Sequence, residues 1–261
     1  MPFPAIDPVF LRLGPLQFRW YGLMYVISFI LCYFVVRSAA RRRELQLDSE
    51  AVADMIFSLA LGVVLGGRLG YILFYDLATY LANPLKMLYI WQGGMSFHGG
   101  LAGVVLAMVW FARSRSLPFA QVADLAALAA PVGLGLGRIG NFINGELYGR
   151  VTTLPWGIVF PEGGAQPRHP SQLYEAALEG LLLFFVVRFV ARRIPVPGSA
   201  MAAFLAGYGL FRSLVELFRE PDSQLGFFFG FFSMGQLLSL PLFVIGMLLL
   251  LRFGRAWARS A

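Results

Sequence analysis

Three arginines, Arg68, Arg138 and Arg212, stand late in apolar runs where a charge has no ordinary reason to be. A charged side chain at membrane depth is costly and marks a functional site by default. The densest polar context is 137–149, GRIGNFINGELYG, which sets Arg138, Asn141, Asn144, Glu146 and Tyr148 among four glycines. Such groups need one another, water or a ligand to satisfy them. Arg212 and Glu216 are four residues apart on one helical face and can pair. Setting Glu146 and Glu216 against the three arginines leaves about one positive charge, so the site is expected to take an anion. A guanidinium holds phosphate through two parallel hydrogen bonds, and phospholipid phosphate is the abundant anion at this depth.

A second set of groups could move protons. His98, in SFHGG, is flanked by Gly99 and Gly100, which permit close approach of backbone or substrate. Histidine is the natural proton acceptor near neutral pH. His169, in RHPSQLYE, reads as a loop or capping residue. The two histidines do not form an HExxH zinc site, and neither a GxSxG elbow nor an ATP-binding GxxxxGK[ST] loop occurs. One cysteine, Cys32, excludes an intrachain disulfide and a cysteine metal cluster, so no metal or soluble cofactor is expected.

These residues must be positioned by helices in lipid. The chain of 261 residues is 58% hydrophobic and 13% charged, half the charge of a typical soluble domain. The net charge of +7 comes from arginines clustered beside apolar runs, a topological pattern that gives no reason to expect nucleic acid. The periodicity and length of the runs predict an all-α integral membrane protein, one membrane domain over 1–261, with seven transmembrane helices at about 20–40, 52–75, 98–112, 119–139, 173–190 and 199–217, and a seventh ending among Arg252, Arg255 and Arg259. Arg41, Arg42, Arg43, Arg113, Arg115, Arg192 and Arg193 fall inside on that scheme, giving N-out, C-in. At about 1.5 Å per residue, Arg68, Arg138 and Arg212 should all reach the outer half of the bilayer. Residues 1–18 read as irregular or interfacial. Residues 76–97, broken at Asn83-Pro84, suit an interfacial arm. Residues 141–171 form a small outer cap with a β-prone WGIVF, and a phenylalanine-rich loop at 227–232 would anchor in lipid or gate a lateral gap. Gly62, Gly66 and Gly70 recur every fourth residue, which allows close helix packing.

The segment GRIGNFINGELYG resembles the signature of bacterial prolipoprotein diacylglyceryl transferases at Gly137, Arg138, Asn141, Phe142, Asn144, Glu146 and Gly149. The resemblance extends to WYGLMY at 20–25, FHGGL at 97–101, HPSQLYE at 169–175 and RSLVELFREPD at 212–222. It implies an enzyme of the bacterial inner membrane with its active site toward the periplasm. Such an enzyme transfers the diacylglyceryl group of phosphatidylglycerol to the lipobox cysteine of a preprolipoprotein, releasing glycerol phosphate. A monomer is the working expectation, which the sequence itself does not decide. Carried onto this chain, the resemblance makes Arg138 and Arg212 the phosphate ligands; Arg68, outside the matching blocks, is expected from its depth to be a further cation of the site. Asn141, Asn144 and Tyr21 become hydrogen-bonding groups, Glu146 and Glu216 orienters of the arginines, and His98 the leading candidate base, the alternative being a thiol pKa lowered by positive potential alone. It lifts Tyr21 above an interfacial belt aromatic. Gly149 is expected to be a turn glycine with positive φ. The rival from another class is a lipid transporter whose buried arginines recognise an anionic headgroup without breaking a bond; the absence of a two-fold repeat and the outer position of the polar groups weigh against it.

Overall fold

The computed structural model describes residues 1–4, 6–14, 16–89, 93–220 and 233–260. The loop at 227–232, the end of the REPD block at Pro221 and Asp222, and Ile90 and Trp91 of the arm lie outside the described residues. The chain folds as two compact units, one of Met1–Ala39 with Asp124–Ala261 and the other of Ala40–Ala123.

The described residues are mostly helical, and five helices are long and apolar enough to cross a membrane: α1 (Trp20–Arg42), α2 (Ser49–Tyr75), α4 (Phe97–Ser114), α5 (Phe119–Ile143) and α9 (Met234–Ser260). A shorter apolar helix, α8 (Ser199–Val215), has a length of 17 residues. A continuous helical run comprises α6 (Ser171–Glu175), a wide π-helical segment (Ala176–Leu182) and α7 (Leu183–Arg193). This is an all-α membrane architecture.

In the unit of Ala40–Ala123, α2 and α4 pack through glycine. A Cβ placed on Gly70 would sit 2.7 Å from the Gly99 Cα, and one on Gly62 would sit 2.6 Å from the Gly103 carbonyl, so the four-residue glycine spacing serves backbone contact as expected. Asp48 caps α2 through the Ala51 amide, and Ser96 caps α4 through the Gly99 amide. The arm is not one interfacial helix. It begins as α3 (Leu77–Ala82), stops at Asn83 and resumes as a short 3-10 turn (Pro84–Leu88), because Pro84 supplies no N–H to continue the ladder.

In the other unit, the first residues are more regular than expected: β1 (Val9–Leu13) and β2 (Leu16–Arg19) form an antiparallel hairpin with a positive φ at Gly14. WGIVF forms no strand; Ile158 and Val151 make isolated bridges to Arg168, and Gly149 bridges to Arg219. Two devices fix the helices that matter for chemistry. Buried Asp124 on α5 accepts from the Gly198 and Met201 amides and so caps α8 from outside that helix. Gly135 of α5 meets Gly180 of the π segment, where a Cβ on Gly180 would lie 2.6 Å from the Gly135 Cα.

Candidate active site

Helix α5 continues to Ile143, past the expected end at 139, so Arg138 and Asn141 lie three apart on one helical face. Arg138 Nη1 lies 3.5 Å from the Asn141 Oδ1. The Asn141 amide donates to Glu146 Oε1 at 2.8 Å, and the Asn144 amide donates to the same oxygen at 3.2 Å. Glu146 therefore acts on Arg138 through Asn141 and not by direct pairing. The turn that delivers it is held by positive φ at Gly145 and by the first turn of α6: Gln172 Nε2 donates to the Glu146 carbonyl and Ser171 Oγ to the Leu147 carbonyl.

The centre of the site is Glu175, fully buried at the end of α6. The Gly135–Gly180 contact lets α5 approach this run closely, so Arg138, three residues beyond Gly135, reaches Glu175, five before Gly180. Arg138 Nε lies 2.7 Å from Glu175 Oε2. Arg212 Nη1 lies 3.5 Å from the same oxygen, and Arg219 Nη1 lies 3.4 Å from Oε1. Arg212 is also paired to Glu216 at 2.9 Å across one helical turn, as its spacing foretold. Among the described residues, Arg138 Nη2 makes no hydrogen bond and its side chain keeps 21% exposure, so this arginine retains donors for an anion. One buried carboxylate thus fixes three guanidiniums carried by α5, by α8 and by the segment after α8.

Tyr21, at the start of α1, packs its ring against Gly140; a Cβ there would stand 2.8 Å from the ring. Its hydroxyl shares a hydrogen bond with Tyr25 at 3.0 Å, and Tyr25 in turn feels the charges of Arg138 and Glu146. The structure thus brings together Tyr21, Arg138, Asn141, Asn144, Glu146, Arg212 and Glu216. Gly149 belongs to the wall beside them, for a reason other than the one expected. Its φ is not positive; Gly145 has that role. A Cβ on Gly149 would collide with the Phe218 carbonyl and the His169 side chain, because the backbones of Gly149, His169 and Phe218 meet there, with Gly149 N donating to the His169 carbonyl at 2.8 Å.

Arg68 and His98 belong to the other unit. Arg68 does not fit an anion ligand: Nε donates to the Met87 carbonyl, Nη1 to Gly93 and Gly94, and Nη2 to Lys86 and Tyr89, at 2.5–3.3 Å. A guanidinium has five N–H groups, and all five are committed. Arg68 is a shared donor to five carbonyls of the irregular arm. His98, exposed in the first turn of α4, stacks edge-on against Phe97. His169 is buried in the cap, with Nδ1 3.2 Å from the Tyr174 hydroxyl and its ring edge-on to Phe218. Burial holds its imidazole below the ordinary histidine range.

Sequence reasoning missed Glu175, Glu179 and Arg219. Glu175 closes a motif whose other residues drew attention, and Arg219 reads as one more outer arginine. The available signal was the Glu175/Glu179 pair, two carboxylates four apart at the head of an apolar run. With Arg68 committed elsewhere, the balance changes: Arg138, Arg212 and Arg219, with Arg150 on the Arg219 and Glu216 carbonyls beside them, face Glu146, Glu175, Glu179 and Glu216, so no fixed positive surplus remains.

The family described as prolipoprotein diacylglyceryl transferase matches residues 8–252. A phosphatidylglycerol–prolipoprotein diacylglyceryl transferase of Geobacter sulfurreducens is 65% identical over 247 residues, covering 95% of this chain and 95% of the relative. Proteins of the same name from Vibrio vulnificus and Vibrio cholerae are 53% identical over 258 residues and 54% over 251, covering 99% and 96% of this chain and 93% and 92% of the relatives.

Proposed function

The chain belongs to the prolipoprotein diacylglyceryl transferase family, and on that premise we propose that the cluster around Glu175 is where a phosphatidylglycerol headgroup is held for transfer. The protein is a membrane transferase that moves the diacylglyceryl group of phosphatidylglycerol to the cysteine of a prolipoprotein. The observation that carries the site reading is Arg138: its Nε is fixed by a fully buried carboxylate and its Nη1 by Asn141, while Nη2 makes no hydrogen bond among the described residues.

The cysteine sulfur attacks the glycerol carbon that bears the phosphate ester. The C–S bond forms as the C–O bond breaks, glycerol phosphate leaves, and the thiol proton passes to an acceptor. A free thiol is mostly protonated at neutral pH, so removal of that proton must be assisted locally. Arg138 binds the phosphate and stabilises the charge that develops on the leaving group, with Arg212 as the second cation, steered by Glu175 and Glu216. Asn141 and Asn144, ordered by Glu146, and the Tyr21 hydroxyl bond to the headgroup. For the proton acceptor the candidate is His98, the alternative being activation of the thiol by positive potential alone, and activity in His98→Gln decides between them. The helical run 171–193 and α8 complete a set of seven spans, N-out and C-in, in a bacterial inner membrane, with the Arg138 end toward the periplasm and one chain sufficient for activity.

The test is to reconstitute the purified protein with phosphatidylglycerol and a lipobox peptide and to weigh the peptide. A diacylglyceryl adduct is expected for the wild type and none for Arg138→Gln. Lipid movement across the bilayer without any adduct would overturn the assignment in favour of a transporter.

A further inference from the structure

Glu179 stands in the π-helical segment one turn beyond Glu175, is fully buried, and takes no part in the mechanism above. Neither of its carboxyl oxygens has a hydrogen-bond partner among the described residues. Every other buried carboxylate of the cluster is tied to arginine. A carboxylate left without a hydrogen bond in a buried site is rare in folded proteins and asks for an explanation. The segment that carries it is also unusual, since π-helical widening is rare and occurs mostly at functional positions.

The groups near enough to act on Glu179 electrostatically are Glu175 on α6, Arg138 on α5, Tyr208 and Arg212 on α8, and Arg219 after α8. The arginines stay charged throughout the working range. Glu175 is held by all three of them and Glu216 by Arg212. Glu146 is exposed and bonded to two asparagine amides. Glu179 is thus the buried carboxyl of the cluster that neither an arginine nor an amide holds. As a carboxylate it sets a further negative charge beside the arginines, which opposes a phosphate; as a carboxylic acid it withdraws that charge.

We propose that Glu179 holds the exchangeable proton of the arginine cluster and takes it up as the anionic headgroup binds, so that phosphate affinity is linked to protonation of this one buried side chain. The proposal rests on the assigned headgroup site. A proton needs no channel of molecular width, so the lack of solvent exposure at Glu179 is no obstacle, and the binding event adds one negative charge as the uptake removes one. Glu179 is thus a positioning residue: it acts on substrate through Arg138 and Arg212.

The experiment is calorimetric binding of short-chain phosphatidylglycerol to the full-length protein in lipid nanodiscs, across about pH 5.5–8.5, in two buffers of different ionisation enthalpy. The wild type is expected to take up a fraction of a proton that approaches one as pH rises, with affinity weakening by up to about tenfold per pH unit in that range. Glu179→Gln, which fixes the neutral shape, should take up none and keep the low-pH affinity at high pH. Uptake that persists unchanged in Glu179→Gln, or wild-type binding without uptake at any pH, overturns the proposal while leaving the headgroup site standing. Because the second outcome is read on the wild type, it decides the matter even where the variant fails to fold. No binding of phosphatidylglycerol at any pH would overturn the headgroup site itself, and the proposal with it.

Discussion

Replacing Glu175 by glutamine tests the centre of the site with almost no change in shape. The carboxylate is fully buried and lies 2.7 Å from Arg138 Nε, 3.5 Å from Arg212 Nη1 and 3.4 Å from Arg219 Nη1. Removing one partner of a buried pair typically costs about 3–5 kcal/mol, because the remaining charge is left without compensation. Two of the three contacts here are long, and Arg212 keeps Glu216 at 2.9 Å, so the expected loss is at the lower end, about 3 kcal/mol. In a chain of this size that is a fall in melting temperature on the order of 10 °C. The catalytic loss should exceed what stability explains. The glutamine amide points N–H groups at guanidiniums, so Arg138 swings from the position in which its free edge meets the phosphate. Misplacing one charge-stabilising donor costs about 100-fold or more in turnover. Peptide lipidation followed by mass, beside a melting curve, reads both quantities. Adding Arg219→Gln to Glu175→Gln removes an uncompensated charge and should recover much of the stability without restoring turnover. Wild-type lipidation by Glu175→Gln, or full recovery of activity in the double variant, would refute the assignment of Glu175 as the residue that aims Arg138.

Four further outcomes are expected. Gly149→Ala places a methyl against the Phe218 carbonyl and His169, and overpacking of that kind costs about 1–3 kcal/mol, visible as a lower melting temperature with the Arg138 cluster unaltered in sequence. Arg68→Lys exchanges five fixed donors for three mobile ones, so limited proteolysis should cut the 76–97 arm faster, whereas headgroup affinity should change little; a large affinity loss with an intact arm would return Arg68 to the anion site. His169 is held neutral by burial, so the unfolded chain binds its proton more readily than the folded one. Its contribution to stability is complete above the unfolded value near 6.5 and declines as pH falls through that value toward the lower folded one; the slope of melting temperature between about pH 5 and 7 should flatten in His169→Phe. His98→Gln should lower turnover by about 100-fold or more with phosphatidylglycerol affinity retained, and full activity would remove His98 from the mechanism.

Much of the helical plan was legible because lipid imposes it. Runs of about twenty apolar residues flanked by basic clusters locate helices whatever their partners, and the observed bounds of α1, α2 and α4 depart from the expected ones by a few residues at most. The same reasoning passed over features that rest on local hydrogen bonding. The hairpin Val9–Leu13 with Leu16–Arg19 lies in a short proline-rich stretch with no long period to read. The continuation of α5 through Asn141 to Ile143 was hidden because asparagine and glycine there have turn-forming propensities, while their tertiary contacts with Glu146 and Tyr21 favour the helix. The role of Gly149 was hidden for a related reason: a glycine needed for positive φ and one needed for close approach look alike in a sequence.

The arginines show where such reading stops. Arg68 and Arg138 have the same sequence credentials, each a lone cation late in an apolar run, and equal claims to an anion. What separates them is the chemistry of their acceptors. Arg68 meets carbonyls, which take its hydrogen bonds and return no charge, so it is consumed in holding an arm that lacks a helix's own donors. Arg138 meets a buried carboxylate at Nε and an asparagine oxygen at Nη1, which fix its plane and leave Nη2 available. The carboxylate that makes this distinction lies 37 residues further along the chain, brought to α5 by a contact between two glycines. Charge spacing along one helix can suggest a pair such as Arg212 and Glu216. It cannot find Glu175, because the information resides in how two helices approach each other. A single bulky substitution at Gly135 or Gly180 should therefore disable the site as thoroughly as removing Arg138, although neither glycine bears a polar side chain; normal lipidation by Gly180→Leu would show that the helix approach does not set the geometry.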